Sequence, residues 1–367
     1  MSPPAALLAR QKWSIMIRDN RPATIKEVAK LAGVSASSVS RALSGHPDVS
    51  AKMRNRVLES VEKLDYRPDY FAQGLRSGAT HTVGFIIRDI SVALFADMAK
   101  GAERELEARG YSVLLMNSWR NSTLEVKHID VLSHRRVDGL IASIASEGSV
   151  ETVNALQGIK VPIVLLDREI AGVEADSVLF DHAAGMHDAI AALLKLGHRR
   201  IGLIVGSSAI RPSRERLRGY KNAYKEAGLP FGEEYIFKLD AFRPDLAVEA
   251  ANSVLDKSPP PTAIVAGDSQ LGVGLLKALR ERGLREGEDI SVVICDDMEL
   301  LRFMNPPISA VSRDGEEMGV AAARLLLDRL EGSTAPPKIE SLPTRFIYRG
   351  SMRPFSNGRD KYVDSSK

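Results

Sequence analysis

The chain has 367 residues, enough for about two or three domains, and its 44% hydrophobic and 26% charged residues are typical of a folded protein. The single cysteine, Cys295, excludes an internal disulfide and any site built from several cysteine ligands. The net charge of +3 is unevenly spread, since residues 1–80 carry thirteen Lys and Arg against seven Asp and Glu, and the remainder carries 37 against 40. A basic amino-terminal part on a slightly acidic body favours a polyanion-binding module joined to a second domain.

The two ends of the chain carry little pattern of their own. No apolar run approaches the roughly 20 residues that a membrane-spanning helix needs, and residues 1–22 lack the basic start, apolar segment and cleavage site of a secretory signal. We therefore expect a cytoplasmic protein that makes no membrane contact. Residues 1–22 are predicted to be a flexible extension that starts at Met1 or Met16, and residues 358–367 a flexible tail.

Three short helices are predicted between residues 23 and 68. Thr24 and Glu27 have the spacing of a capping box, T-x-x-E, ahead of the apolar residues of the first helix. Gly33 ends that helix, Ser35 caps the second and Ser50 caps the third. The apolar residues that recur at helical spacing along the three helices are Val28, Ala29, Leu31, Val39, Ala42, Leu43, Val57, Val61 and Leu64.

The first two helices and the turn between them have the spacing of a helix-turn-helix, a motif whose second helix enters the DNA major groove. With Val39 and Ala42 inward, Ala36, Ser37 and Arg41 are predicted to face outward near the base edges. An outward arginine suits two hydrogen bonds to guanine. Serine hydroxyls and the helix amino terminus suit phosphate oxygens. The predicted DNA contacts are Thr24, Ser35, Ala36, Ser37, Ser38, Ser40 and Arg41. On spacing alone, three helices packed only for stability remain an equal alternative.

From residue 81 onward, apolar runs alternate with amphipathic stretches. The runs do not alternate with polar residues, which predicts strands buried on both faces, hence parallel sheets and an α/β class. The predicted strands are 83–87, 112–116, 139–144, 161–166, 201–205, 263–266 and 291–294, and the helices include 93–109, 183–196, 213–227 and 270–282. Nearly 280 residues is long for one such sheet, so we expect two lobes with a cleft between them.

The segment TIKEVAKLAGVSASSVSRALSG (24–45) closely resembles the headpiece of the lactose repressor/galactose repressor (LacI/GalR) family. Further matches, in the family's order, are YRPDYFAQGLRSGATHTVG (66–84), RRVDGLIAS (135–143), LGHRRIGLIVG (196–206), RERLRGY (214–220), PTAIVAGD (261–268) and DISVVICDD (289–297). The resemblance spans about residues 23–355. It implies a sequence-specific DNA-binding transcriptional regulator, a repressor, that binds a near-palindromic operator as a homodimer and responds to a small ligand.

The same resemblance implies a small all-α headpiece at 23–68, a hinge at 69–80, and a periplasmic-binding-protein-like core at 81–357. Lobe one is expected at about 81–180 and 314–342, and lobe two at about 181–312 and 344–357, with the chain crossing near 180, 313 and 343. Leu75 matches the hinge leucine that wedges into the minor groove and kinks DNA. Gly74 beside it weakens the hinge helix, as a helix that folds only on DNA requires.

Carried over by position, the residues facing the ligand are Phe95, Asp167, Arg216, Phe242 and Asp296. An arginine and two carboxylates suit hydroxyl groups and aromatic rings suit a sugar face, so the expected ligand is a carbohydrate or a derivative of one. Asp268 is a further candidate that could instead cap the next helix. The chain departs from the family pattern around this pocket, at Val92, Ala93, Gly267, Ile294 and Cys295.

Two other classes share parts of this pattern. A solute-binding protein has the same two-lobed body but predicts an export signal and no headpiece. A dinucleotide-dependent enzyme needs G-x-G-x-x-G after its first strand, where this chain reads Arg88-Asp89-Ile90-Ser91. No catalytic elbow or metal-ligand spacing appears either. We therefore expect no enzymatic activity, no cofactor and no metal.

Overall fold

A computed structural model describes residues 23–43, 46–66, 79–239 and 244–355. The chain divides into two compact units, Met1–Thr80 and His81–Lys367. The first contains three helices in its described part, α1 (Ile25–Ala32), α2 (Ala36–Leu43) and α3 (Ala51–Lys63). Their inward residues form one small core, made of Val28, Ala29, Ala32, Val39, Ala42, Val49 and Val57.

The predicted caps of these helices are present. The backbone N–H of Thr24 donates to Glu27 Oε2 at 2.6 Å while Glu27 N–H donates to Thr24 Oγ1 at 3.4 Å, which is the reciprocal capping box. Gly33 ends α1 in the left-handed conformation, with φ of 63°. Of the apolar residues that follow the capping box, Leu31 is 51% exposed, and Ala32 is buried. The buried positions of α1 are Val28, Ala29 and Ala32, and Leu31 lies outside that stripe.

Lobe one of the second unit is a six-stranded, fully parallel sheet in the order β2-β1-β3-β4-β5-β11. Its strands are β1 (Thr82–Ile87), β2 (Ser112–Asn117), β3 (Gly139–Ala142), β4 (Ile163–Leu166), β5 (Asp176–Phe180) and β11 (Ile339–Leu342). Its helices are α4 (Ala93–Glu107), α5 (Ser122–His134), α6 (Val150–Gly158) and α12 (Gly315–Leu330). The central strands are buried along their length, as their unbroken apolar runs predict.

Lobe two repeats this plan with the strand order β7-β6-β8-β9-β10-β12. Its strands are β6 (Ile201–Val205), β7 (Ile236–Lys238), β8 (Ala263–Ala266), β9 (Ser291–Cys295), β10 (Ser309–Ser312) and β12 (Arg345–Ile347). Its helices are α7 (His182–Lys195), α8 (Arg211–Glu226), α9 (Pro244–Leu255), α10 (Ser269–Glu281) and α11 (Leu300–Phe303), with a 3₁₀ turn at Glu233–Tyr235. The expectation of parallel sheets is confirmed with one exception, since the edge strand β12 pairs antiparallel with β10.

The chain passes between the two sheets three times: from β5 to α7, from β10 to α12, and from β11 to β12. Parallel strands place their carboxyl ends at one edge of a sheet, and ligands of open α/β sheets bind outside those ends. A ligand-binding site is therefore expected among the residues that follow β1, β4, β6, β8, β9 and β10.

Candidate functional site

The helix-turn-helix presents one polar face and one buried face. Val39 and Ala42 lie in the core of the first unit, whereas Ser37 and Arg41 are exposed on α2. Ala36 and Ser40 are half-buried, and Ala36 packs against that core, so its outward prediction is only partly met. The side chain of Arg41 is thus in a position to reach a base edge in a groove that receives α2.

Hydroxyl groups cluster at the start of α2. Ser35 Oγ accepts a 3.1 Å hydrogen bond from the Ser38 backbone N–H, so it caps the helix, and it lies 2.7 Å from Ser37 Oγ and 2.8 Å from Ser38 Oγ. At the start of α1 the hydroxyl of Thr24 is used within the capping box, donating to Glu27 Oε2 at 2.8 Å. Leu75, the predicted wedge, lies outside the described residues.

A cavity of about 440 Å³ lies between the two lobes of the second unit, a size typical of sites for small molecules. Its apolar wall contains Leu94, Phe95, Trp119, Ile210 and Leu239. Its polar wall contains Arg88, Arg120, Ser146, Ser207, Ser213, Arg216, Asp268, Gln270, Asp296 and Arg313. Both lobes and the second crossing contribute side chains, so a molecule in the cavity would contact both lobes.

Arg313 occupies the second crossing and pairs with carboxylates from both lobes. Its Nε donates to Asp296 Oδ1 at 2.7 Å, and its Nη1 donates to Asp167 Oδ2 at 3.3 Å. Burial opposes ionisation of Asp296, but the guanidiniums of Arg313 and Arg216 outweigh it and hold the pKa of that carboxyl below its ordinary value. Arg313 was not among the residues predicted from the sequence, although a charged residue directly after a strand is a signal that the sequence contains.

Asp167 does not contact the cavity in the way the resemblance implies. It is 2% exposed, is not part of the cavity wall, and is bonded to Arg313 and to His182, whose Nε2 lies 2.9 Å from Asp167 Oδ2. Burial lowers the pKa of His182 to about 4, against the opposing effect of Asp167, so this imidazole is neutral at pH 7 and Nε2–H donates to the carboxylate. Asp167 therefore orients Arg313 from behind the wall.

Arg216, on α8, is 6% exposed and lines the cavity. Among the residues that the structure describes, none offers it a hydrogen bond or an ion pair. A buried guanidinium without partners is costly, so the cavity side of Arg216 calls for acceptors supplied by a ligand or by water. Its place in the cavity wall makes Arg216 a candidate binding residue.

Two of the remaining predicted residues line the cavity and also have a structural role in the fold. Phe95 lines the cavity but is 2% exposed and belongs to the core of lobe one. Asp268 both lines the cavity and caps α10, since its Oδ1 accepts from the Leu271 backbone N–H at 2.8 Å. Phe242 lies outside the described residues.

Polar bonds also join the lobes around the cavity. Arg120 Nη2 donates to Gln270 Oε1 at 2.8 Å, and the backbone N–H of Arg211, at the start of α8, donates to Glu147 at 2.9 Å. Arg214 reaches the same carboxylate at 2.8 Å. None of these residues was predicted, because their partners are more than sixty positions away along the chain and only the fold brings them together.

Metal and membrane chemistry receive no support from the described residues. Within them, no helix is both long and apolar enough to cross a bilayer, and no three His, Cys, Asp or Glu side chains form a group that could hold a metal ion.

Burial raises the pKa of Cys295 to about 11, so the thiol stays protonated at pH 7 and is a packing group beside Asp296.

Comparison with known proteins gives matches over most of the chain. The family described as "Bacterial regulatory proteins, lacI family" matches residues 24–69, and "Periplasmic binding protein-like domain" matches residues 190–352. Catabolite control protein A of Priestia megaterium is 32% identical over 332 residues, which cover 90% of this chain and 99% of that protein.

Two solved structures extend the likeness to the fold. The transcriptional regulator CelR in complex with cellobiose is 30% identical, with a TM-score of 0.68 over 90% of this chain and 99% of that one. The Lac repressor dimer bound to operator and the anti-inducer ONPF is 25% identical, with a TM-score of 0.79 over 91% of this chain and 100% of that one.

Proposed function

The chain belongs to the LacI family of bacterial regulatory proteins, and on that premise we propose that it represses transcription by binding an operator, with an affinity that a small ligand in the cavity alters. The observation that carries the ligand half is Arg216, a buried guanidinium without a described partner in a wall shared by both lobes. The relatives with known roles are transcriptional regulators, and we propose the same non-enzymatic role in the cytoplasm.

For DNA, we propose that α2 lies in the major groove with Arg41 on a base and the hydroxyls at its start on phosphates. The exposure of Ser37 and Arg41, opposite the buried Val39 and Ala42, supports this orientation. Ser35 and Ser38 lie at the helix amino terminus, where the free N–H groups and the helix dipole favour an anion. Thr24 is proposed to approach the backbone at the start of α1.

For assembly, we propose a homodimer that places two headpieces on a near-palindromic site, as the Lac repressor structure is described as a dimer bound to operator. One headpiece offers too few contacts for tight specific binding, and two-fold symmetry doubles them. Sedimentation at micromolar concentration should give a dimer. A monomer that binds DNA one headpiece at a time would contradict this.

For the ligand, we propose a sugar or a sugar derivative, because a related regulator was solved with cellobiose and this cavity combines an arginine, carboxylates and serines with apolar side chains. A ligand shifts DNA affinity only if it binds two arrangements of the lobes with different affinity. What supports this proposal is that the cavity wall is drawn from both lobes and from the crossing at Arg313, so a rearrangement of the lobes would change the contacts of the ligand.

The DNA half is tested by selection from a pool of random-sequence duplexes with the full-length protein. The expected result is enrichment of a near-palindromic sequence, with enrichment at one base pair of each half-site lost for Arg41→Ala. The matched control is Arg56→Ala, an exposed arginine of α3, which should enrich the same sequence. Recovery of no common sequence by the wild type would contradict the proposed function.

A further inference from the structure

The cavity wall carries more positive than negative charge. Four arginines, Arg88, Arg120, Arg216 and Arg313, line it against two carboxylates, Asp268 and Asp296. Two of the arginines are compensated, because Arg313 pairs with Asp296 and Asp167, and Arg120 Nε lies 3.8 Å from Asp89 Oδ2. The two that remain, Arg88 and Arg216, have no carboxylate at ion-pair distance within the described parts of the chain.

Arg88 follows β1 at the edge where ligands of such sheets bind. Its Nε donates to Ser143 Oγ at 3.2 Å, and its guanidinium carbon lies 4.8 Å above the ring centroid of Phe95. These two contacts fix the plane of the guanidinium but use only one of its five N–H groups. Its terminal nitrogens form no hydrogen bond with any described residue. They are therefore able to donate to a molecule in the cavity, which Arg88 lines.

The surroundings of Arg88 make its charge unfavourable while the cavity holds no counter-charge. Burial lowers the pKa of Arg88 well below its usual value, and the nearby guanidiniums of Arg168 and Arg120 lower it further, against a weaker opposing effect of Asp167. Arg168 is itself fully buried. An anion placed at the cavity side of Arg88 would offset the cost of keeping this guanidinium charged.

We propose that the ligand of this cavity carries an anionic group, a carboxylate or a phosphate, held by Arg88 from lobe one and Arg216 from lobe two. This rests on the proposed ligand response and specifies its chemistry: an acidic sugar derivative rather than a neutral sugar. Guanidinium is the side chain best suited to such a group, since its parallel N–H pairs match two oxygens. An anion between arginines of opposite lobes also supplies an attraction that favours the closed arrangement.

The test measures the thermal unfolding of the full-length protein with inorganic phosphate and with formate, each against sodium chloride at equal ionic strength. Ligands that bind only the folded state raise the unfolding temperature with concentration. The expected result is a rise with at least one anion that disappears in Arg88→Gln and in Arg216→Gln. The control Arg218→Gln removes an exposed arginine of the same helix α8, paired only with Glu215 among the described residues, and should keep the rise.

Two further arms make the outcome specific. Arg88→Lys keeps the positive charge but loses the parallel N–H groups of the guanidinium, so it should retain part of the rise in unfolding temperature. In the absence of added anion, Arg88→Gln should unfold at or above the wild-type temperature. Calorimetric titration then compares the binding of glucose, glucose 6-phosphate and gluconate, which distinguishes a phosphate ligand from a carboxylate ligand. Glucose 6-phosphate or gluconate should bind at least tenfold more tightly than glucose.

Equal unfolding temperatures in phosphate, formate and chloride would overturn the proposal, as would an anion effect that survives Arg88→Gln. A neutral sugar that alters operator binding equally in wild type and Arg88→Gln would overturn it while leaving the proposed function intact. Failure of the proposed function looks different, because then no small molecule changes DNA affinity at all.

Discussion

Arg313 Nη1 donates to Asp167 Oδ2 across 3.3 Å, joining the crossing that follows β10 in lobe two to the end of β4 in lobe one. The same guanidinium holds Asp296 at the end of β9. One buried cation thus pairs with a carboxylate from each lobe at the edge where the lobes meet. Arg313 and Asp296 are also part of the cavity wall.

The first prediction follows from this pair. Arg313→Met should lower the free energy of unfolding of the core by about 3–5 kcal/mol at pH 7, because it removes the cation that is hydrogen-bonded to two buried carboxylates. Urea unfolding followed by circular dichroism measures the loss. Arg324→Met, which removes an exposed arginine that pairs with Glu105, is the control and should change stability by less than about 1 kcal/mol. A loss below 1 kcal/mol for Arg313→Met would refute the structural role.

The second prediction concerns pH and His182. Its pKa is lowered to about 4 in the folded state, against 6.5 for the free side chain, so the unfolded chain binds a proton that the folded chain does not between these values. Stability must therefore rise with pH across this window and fall by about 2 kcal/mol between pH 7 and pH 5 from this group. Denaturation curves at the two pH values measure it, and the drop should shrink in His182→Gln. An equal drop in both proteins would disprove the assignment.

The third prediction concerns DNA recognition by Arg41. Arg41→Ala should weaken operator binding by about 1–3 kcal/mol and relax the preference at one base pair of each half-site, since a pair of hydrogen bonds to guanine is lost. Binding to unrelated duplex DNA should change little, because only one of several cationic contacts is removed. Fluorescence anisotropy with operator and scrambled duplexes checks both. A uniform loss on all sequences would mean that Arg41 contacts only phosphate.

The fourth prediction concerns the packing of α4 against α12. A side chain on Gly319 would overlap the carbonyl oxygen of Met98, so the two helices approach backbone to backbone. Gly319→Ala should cost about 1–3 kcal/mol despite the better helix propensity of alanine. Gly158→Ala is the control, because an added methyl there meets nothing within 4 Å. Equal stability of the two variants would contradict the packing described.

The sequence predicted the fold class well because buried parallel strands have a strong pattern. The runs at β1, β6 and β8 consist almost entirely of apolar residues, and the structure places them inside their sheets. Five of the described strands were not predicted. The edge strands β7, β11 and β12 have three or four residues and a partly exposed face, and the inner strands β5 and β10 are short and contain polar residues that interrupt the apolar run. The antiparallel direction of β12 depends on the last crossing and has no local signal.

The candidate site was less predictable than the fold. The positions carried over from the family resemblance include Arg216, Asp268 and Asp296, and these three residues line the cavity. It also selected Asp167, which lies behind the wall, because a resemblance transfers a place in the fold and not the exposure of a side chain. Arg88 and Arg313 were missed, although each follows a strand; their importance depends on which charges the fold brings near them.

We expect this protein to bind an operator and a ligand in the cavity to change the affinity of that binding. The most direct measurement is the Kd for the selected operator with and without a panel of sugars, sugar acids and sugar phosphates, for wild type, Arg216→Ala and the control Arg218→Ala. We expect a change of about fivefold or more for the wild type and the control with at least one ligand. Arg216→Ala should keep its ligand-free Kd within about tenfold, or ~1.4 kcal/mol, and lose the response. A wild-type Kd that no ligand alters, or an Arg216→Ala response at the wild-type concentration, would contradict it.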